Sequence, residues 1–254
     1  MDFIQPTGRA TNLNELPSVA MEFNGTVIEN EIEGYRTLKV SGRETISNEL
    51  VVESVHEGGI TFDSHLPSRS IQITYEMKAE TNKRLQEQYK ELRKLLTTNE
   101  EVTIKFADEP TTVYFGRLST FGDVPDDKNH IVSTLTIHCD SPYKFGNLVT
   151  TSGDVTIDTF YQPRPEQIIL DVPQTVNRVE INHNDYRIVA NGTFNAGSKA
   201  VFDFDPKDMT LTVNDVEATY MVALNSDFEN FRLSDGTVTS PQGDITLIAR
   251  EWWL

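Results

Sequence analysis

Hydrophobic residues alternate with polar ones along most of this chain, and a helical pattern interrupts the alternation only once. The helical stripe lies at residues 81–97, TNKRLQEQYKELRKLLT, where large apolar residues recur three or four positions apart. Thr81 precedes the stripe and is predicted to cap the helix N-terminus. Period-two alternation is typical of half-buried strands. The chain is therefore predicted to be mainly β, with one α-helix.

Six alternating segments surround the helix in the first half of the chain. They are residues 34–46, 48–62, 68–79, 101–107, 111–120 and 130–140. The second of them contains Gly58-Gly59, which predicts two strands joined by a turn. In the first, Leu38 and Val40 are in phase and are predicted to share a face. The first half thus predicts an N-terminal β-sandwich with one docked α-helix, an α+β arrangement.

The second half lacks a helical stripe and contains short alternating segments at regular spacing. Asn-Gly, Asn-Asp and Asp-Gly pairs favour tight turns, and such pairs separate several of the segments. Those pairs are Asn184-Asp185, Asn191-Gly192, Asn214-Asp215 and Asp235-Gly236. Asn24-Gly25 predicts a further turn in the first half. A polar stretch near residues 146–153 suits a boundary, so we predict domains at 1–148 and 149–254, the second a jelly-roll β-sandwich.

Charge and composition narrow the function classes. The 254 residues include 22 Lys plus Arg against 39 Asp plus Glu, a net charge of −17, and 37% are hydrophobic. A protein that grips phosphates needs a basic face, so specific nucleic-acid binding is not expected. No apolar run is long enough for a membrane span, and the first twenty residues lack the apolar core of a signal peptide. A single cysteine excludes an intramolecular disulfide.

That cysteine, Cys139, stands beside His138 and so invites interpretation as a nucleophile next to its base. Both residues lie in the predicted strand 130–140, where successive side chains point to opposite faces. Cys139 instead continues the apolar phase of Ile137 and is predicted to be a buried small hydrophobe. No other histidine stands in a recognisable nucleophile motif. No catalytic residue is predicted.

Other patterns that resemble sites have simpler explanations. The acidic stretch DFDPKD (203–208) lacks the glycine and distal glutamate of a calcium loop, and a solvated hairpin explains it better. Adjacent acids such as Asp108-Glu109 carry no information about the separation that glycoside hydrolysis needs. The chain also lacks a phosphate-binding glycine loop and zinc-ligand spacing. Neither a cofactor site nor a metal site is predicted.

The C-terminal tryptophans Trp252 and Trp253 are the candidate interaction residues. Exposed tryptophan stacks on sugar rings and anchors interfaces, so these two residues could contact a ligand or a partner. Alternatively, one of them packs on the sandwich core, since neighbours on a strand face opposite ways and indoles are usually buried. Both interpretations remain open.

Several motifs together resemble one family, the distal tail (Dit) proteins of long-tailed siphophages of Gram-positive bacteria. SGRETISNELVVE is followed by GGITFDSHLPSRSIQITYEM, the helix, FADEPTTVYFGRL and STLTIHCDSPYKFG. The resemblance covers roughly residues 24–150. The motif residues are Gly42, Arg43, Leu66, Pro67, Arg69, Asp108, Glu109, Pro110, Tyr114, Gly116, Asp140, Pro142, Tyr143 and Lys144.

The resemblance implies a structural, non-enzymatic protein of the virion that is made and assembled in the host bacterial cytoplasm. It implies a ring, usually hexameric, built by the N-terminal domain, with a central channel for DNA and a galectin-like C-terminal sandwich. The implied partners are further copies of the chain, the tail tube protein, and tail-tip, tail-fibre or tape-measure-associated proteins. Neither a membrane nor a cofactor is expected. The alternative is a lectin-like host-adsorption module that binds carbohydrate through Trp252 or Trp253.

Overall fold

A computed structural model describes residues 16–44, 48–123, 127–157 and 161–254. The chain divides into two compact units, the first reaching Pro142 and including Leu254, the second comprising Tyr143–Trp253. Both are built mainly of antiparallel strands, which confirms the mainly β fold class with one long helix. The predicted domain limits and the galectin-like assignment stay predictions.

In its described residues, the first unit contains nine strands and two helices. In chain order they are β1 (Met21–Phe23), β2 (Thr26–Val27), α1 (Ile28–Glu31), β3 (Tyr35–Ser41), β4 (Glu49–Ser54), β5 (Gly59–His65), β6 (Arg69–Lys78), α2 (Asn82–Leu96), β7 (Val102–Phe106), β8 (Glu109–Phe121) and β9 (His130–Cys139). Seven strands form one antiparallel sheet in the order β2-β1-β7-β8-β9-β6-β3. Strands β4 and β5 form a separate two-stranded sheet.

Helix α2 forms where the stripe predicted it. The side chain of Thr81 accepts a hydrogen bond from the backbone N–H of Arg84 at 3.2 Å, which confirms the predicted N-cap. Leu85, Leu92 and Leu96 are fully buried in the hydrophobic core of the unit. Burying each of these leucines stabilises the fold by about 1.5–3 kcal/mol, and this packing holds the helix.

The sheet supplies the other half of this core. Along β6, alternate residues Ile71, Ile73 and Tyr75 are fully buried, as the period-two pattern predicted. Strand β3 departs from its prediction, because its pairing with β6 shifts between Thr37 and Lys39. A bulge at this point changes the phase of the strand. Leu38 is consequently exposed and does not share an inward face with Val40, so that prediction was wrong.

Where the structure describes it, the second unit holds twelve strands and one short 3₁₀ turn at Thr219–Met221. The strands are β10 (Lys144–Phe145), β11 (Val149–Thr151), β12 (Asp154–Val155), β13 (Pro165–Val172), β14 (Val176–His183), β15 (Tyr186–Phe194), β16 (Ser198–Asp203), β17 (Thr210–Val213), β18 (Val216–Glu217), β19 (Gly236–Thr237), β20 (Asp244–Ala249) and β21 (Trp252–Trp253). Six of them form a sheet in the order β11-β20-β13-β16-β17-β18. The pairs β14-β15 and β12-β19 form separate two-stranded sheets, and β10 pairs with β21.

Two Asn-Gly pairs have different outcomes. Asn24 and Gly25 have φ values of 51° and 77° between β1 and β2, so they form the predicted turn. Asn191-Gly192 lies inside β15 and forms no turn, so that prediction was wrong. A Cβ on Gly192 would stand 2.7 Å from the sulfur of Met221. This glycine serves close packing instead. Among the described residues, no helix is long and apolar enough to cross a membrane.

Candidate assembly surface

Strands β4 and β5 form a hairpin, residues 49–65, that we call the arm. Every residue of both strands is exposed, although the arm carries six large hydrophobic side chains. Those side chains are between 44% and 64% exposed. They are Leu50, Val51, Val52, Val55, Ile60 and Phe62. Concentrated apolar exposure of this kind marks a binding surface.

The pairing register puts apolar side chains on both faces of the arm. Val51 pairs with Asp63 and Val52 pairs with Thr61, and the register shifts between these two pairs. Consecutive residues on a strand point to opposite faces, so Val51 and Val52 cannot share one. Among the described residues, neither outer edge of the arm pairs with another strand. An isolated two-stranded hairpin is marginally stable in water, so burial against a partner would stabilise it.

One buried arginine joins the two chain segments that flank the arm. Arg69, at the start of β6, follows the arm in sequence and is only 1% exposed. Its Nη1 donates to the carbonyl oxygens of Gly42 and Arg43, which precede the arm, at 3.1 and 2.6 Å. Its Nε and Nη2 donate to the carbonyl oxygen of Pro142 at 3.1 and 2.7 Å. Burial lowers the pKa of Arg69, and the carbonyl dipoles compensate for part of its lost hydration.

A second arginine ties the arm to the β7-β8 turn. Arg43 donates two hydrogen bonds of 2.7 Å to the two carboxylate oxygens of Asp108, in bidentate geometry. Its Nη1 lies 3.7 Å from Oε1 of Glu109, and its guanidinium lies 4.8 Å from the ring centre of Phe106. The hydrogen bonds from Arg43 hold the pKa of Asp108 below its ordinary value, and the same pair raises the pKa of Arg43.

Two neighbouring residues, Tyr114 and Gly42, further restrict the conformation around Arg43 and Asp108. The hydroxyl of Tyr114 donates to Oε2 of Glu109 at 2.7 Å, and burial is the main cause that raises the pKa of the phenol. Gly42 has φ of +91°, and a Cβ there would stand 2.1 Å from the carbonyl oxygen of Ser70. Only glycine fits at that point. We call Arg43, Arg69 and Asp108 the anchor of the arm.

Comparisons with known proteins show similarity within the first unit. Residues 24–141 match the phage tail protein RIFT-related domain. The distal tail protein of Bacillus phage SPP1 is 35% identical over 125 residues, which are 46% of this chain and 47% of that protein. About half of the chain is therefore similar in sequence to a phage distal tail (Dit) protein. The match in sequence spans about half the length of the SPP1 protein.

Solved structures share the fold of this chain over most of its length. The crystal structure of SPP1 Dit aligns with a TM-score of 0.76 at 20% identity, covering 92% of this chain and 99% of that one. A chain of the phage P2 baseplate in its activated conformation aligns with a TM-score of 0.53 at 9% identity, covering 85% and 90%. At these identities the likeness shows the fold alone.

The structure brings together part of the Dit motif set. Gly42, Arg43, Arg69, Asp108 and Glu109 converge at the base of the arm, with Tyr114 and Pro142 beside them. The roles of all the motif residues stay predictions.

The remaining motif residues lie elsewhere. Leu66 and Pro67 link β5 to β6 and are half-buried, whereas Pro110 and Asp140 are exposed. Gly116 packs beneath Cys139, and Tyr143 and Lys144 belong to the second unit.

Cys139 lies where strand phase predicted it. It is buried on the apolar face of β9, and burial raises the pKa of its thiol to about 12. His138 instead interacts with Asp140, its Nε2 lying 3.3 Å from Oδ1. Within the described ranges, no three His, Cys, Asp or Glu side chains group as a metal site requires.

The two tryptophans lie on β21, which pairs with β10 in the second unit. Both are half-buried. The ring of Trp252 lies 5.2 Å from that of Tyr143 and 5.6 Å from that of Phe145, measured between centroids. The Tyr143 ring in turn lies 5.3 Å from that of Tyr161. Trp252 thus belongs to an aromatic cluster, and its role in binding stays a prediction.

Sequence reasoning missed the arm as a surface. The alternation of residues 48–62 predicted the two strands but not their exposure. A usable signal is present, because Val51-Val52 and Ile60 to Phe62 place hydrophobic side chains on both sides of the same hairpin. A hairpin that is apolar on both faces cannot satisfy both of them on the core of its own unit.

Proposed function

We propose that this protein is a structural component of a long-tailed phage tail tip, in which six copies form a ring. The ring joins the tail tube protein to the adsorption apparatus. The observation that carries the proposal is the arm, whose exposed apolar faces and unpaired edges require a partner. The SPP1 relative is a distal tail protein, and its structure is described as a hub of the adsorption apparatus in phages of Gram-positive bacteria.

A second copy of the chain is the partner that suits the arm. When one surface of a subunit contacts a different surface of the next, the contact repeats head to tail, and a suitable rotation closes it into a ring. An arm that reaches from one copy onto its neighbour is such a contact. Main-chain pairing along an arm edge would add affinity to the apolar burial.

The acidity of the chain suits a channel through which DNA passes. With a net charge of −17, the protein offers little electrostatic attraction to phosphates, so DNA would pass without being retained. We propose that the protein is non-enzymatic and resides in the virion after assembly in the host cytoplasm. Tail-tip, tail-fibre or tape-measure-associated proteins would dock on the ring.

The test is the mass and shape of the purified protein in solution. Sedimentation velocity should give a species of about 172 kDa, six times the 28.7 kDa of one chain, and negative-stain images should show rings with a central opening. A protein that stays monomeric at the highest attainable concentration, with no rings in the images, would contradict the proposal.

A second candidate function rests on the aromatic cluster around Trp252. Half-exposed aromatic rings stack on sugar faces, so a lectin-like adsorption role is the alternative. The test is binding to host cell-wall polysaccharide, with Trp252→Ala and Trp253→Ala as variants and Tyr220→Ala as a matched exposed aromatic control. Binding that survives both tryptophan variants would exclude these residues, and no binding by the native protein would exclude the function.

A further inference from the structure

Among the described residues, the arm joins the first unit through the segments that flank it. Every residue of β4 and β5 is exposed, so no buried arm side chain packs on the body of the unit. The direction of the arm therefore depends on the residues that precede and follow it. Of the flanking residues that the structure describes, Gly42 and Arg43 on one side meet Arg69 on the other, whose guanidinium donates to their carbonyl oxygens.

The geometry makes the base sensitive. A strand of six residues extends about 20 Å at 3.3 Å per residue, so a rotation of about 20° at the base moves the tip by about 7 Å. Apolar contacts require heavy atoms within about 4.5 Å. A modest change at the base would therefore remove the tip from any surface it fits.

The hydrogen bonds beside the arm have defined directions. The bidentate Arg43–Asp108 pair and the four hydrogen bonds of Arg69 fix the guanidinium planes, which apolar packing would not do. The Arg43 side chain is 8% exposed, so its charge is largely desolvated. The Asp108 side chain is 31% exposed, and ion pairs that reach solvent contribute little net stability, so we assign this pair a role in orientation.

We infer that the anchor is a positioning device: Arg43, Asp108 and Arg69 hold the arm in the direction in which the next copy of the chain receives it. The expected effect on assembly rests on the proposed function, in which copies of the chain form a ring. The expected effect on the direction of the arm concerns a single chain and does not depend on the ring. Loosening the anchor should leave the unit folded, broaden the range of arm directions and weaken assembly.

The experiment measures arm direction and assembly separately. Spin labels at Glu57→Cys in the arm turn and Lys90→Cys on the outer face of α2 report the distance from the tip to the body, since both positions are exposed and Cys139 is buried. The test variant is Asp108→Asn, which removes one charge of the pair. The control is Glu33→Gln, which removes an exposed ion pair to Arg84 in the same unit.

We expect a narrow distance distribution in the native chain and in Glu33→Gln, and a broad one in Asp108→Asn. The concentration for half-assembly of Asp108→Asn should rise at least tenfold, while its circular dichroism spectrum stays native. Arg43→Lys replaces Asp108→Asn if the latter does not fold, because lysine keeps the charge but loses the bidentate fork.

Two outcomes overturn the inference. One is a distribution in the folded variant as narrow as the native one. The other is a broad distribution with undiminished assembly. If the native chain forms no ring, the proposed function fails, and the distance distributions of the monomers still decide whether the anchor sets the arm direction.

Discussion

Phe62 is the most exposed large hydrophobic side chain of the arm, at 64%. We expect Phe62→Ser to weaken ring assembly without destabilising the monomer. A buried phenylalanine removes about 200 Å² from water, so the exposed fraction corresponds to about 130 Å² and about 3 kcal/mol at 25 cal/mol per Å². Each contact between copies would thus weaken by roughly 100-fold, because 1.4 kcal/mol corresponds to a factor of ten.

The assay for Phe62→Ser is sedimentation velocity over a wide concentration range, with urea denaturation of the monomer beside it. The free energy of unfolding of the monomer should change by at most about 0.5 kcal/mol, because the exposed Phe62 side chain makes few packing contacts in the monomer. Tyr220→Ser is the matched control, since Tyr220 is exposed, aromatic and in the second unit. The assignment of the arm as the contact surface would be refuted if Phe62→Ser assembled at the same concentration as the native protein. It would also be refuted if Phe62→Ser and Tyr220→Ser lost assembly equally.

Three further outcomes test the interior of the protein. Gly116→Ala should lower the free energy of unfolding, measured in urea, by about 1–3 kcal/mol, because the added Cβ would meet three atoms at 2.8 Å. The control Gly146→Ala, whose added Cβ has its nearest atoms at 3.4 Å, should change that free energy by less than about 1 kcal/mol. Equal effects of the two variants would contradict this prediction. The Cys139 thiol, with a pKa of about 12, should not react with Ellman's reagent at pH about 8 until urea unfolds the protein, and rapid native labelling would contradict its burial. The pKa of Asp108 is lower in the folded protein than its ordinary value of 3.8, so its ionised form stabilises the fold above pH 3.8 and this stabilisation is lost as the pH falls through the folded-state pKa. The difference in free energy of unfolding between the native protein and Asp108→Asn should therefore shrink below about pH 4. A difference that does not depend on pH would contradict this prediction.

Sequence patterns predicted the elements whose packing is periodic. The stripe of Leu85, Leu92 and Leu96 predicted α2 to within one residue at each end, because a helix buries the face its sequence makes apolar. The alternation of β6 and β9 likewise placed Cys139 on the inward face and excluded a dyad with His138.

The departures have local causes that periodicity does not contain. The bulge in β3 moves Leu38 out of phase, and a bulge depends on the partner strand, β6. Asn191-Gly192 has the composition of a turn, but it lies within β15, where the glycine leaves room for the side chain of Met221, 29 residues away in sequence. Such contacts between distant segments decide the local conformation.

The arm and its anchor were likewise predicted from the sequence only in part. The motif residues indicated that Arg43 and Asp108 matter, but nothing in their separation of 65 positions shows that they pair. The arm was predicted as two strands, while its exposure follows from a topology in which β4 and β5 remain outside the seven-stranded sheet. Exposure of a strand depends on what covers it, and in this protein we propose that the cover is another copy.

Hydrogen–deuterium exchange of the arm tests this central claim most directly. The backbone amides of residues 49–65 should exchange rapidly in the monomeric fraction, because a fully exposed two-stranded hairpin opens easily. In the assembled fraction the same peptides should become strongly protected, whereas peptides from the buried strand β6 should exchange slowly in both. Assembled protein whose arm exchanges as fast as the monomer's would contradict the account.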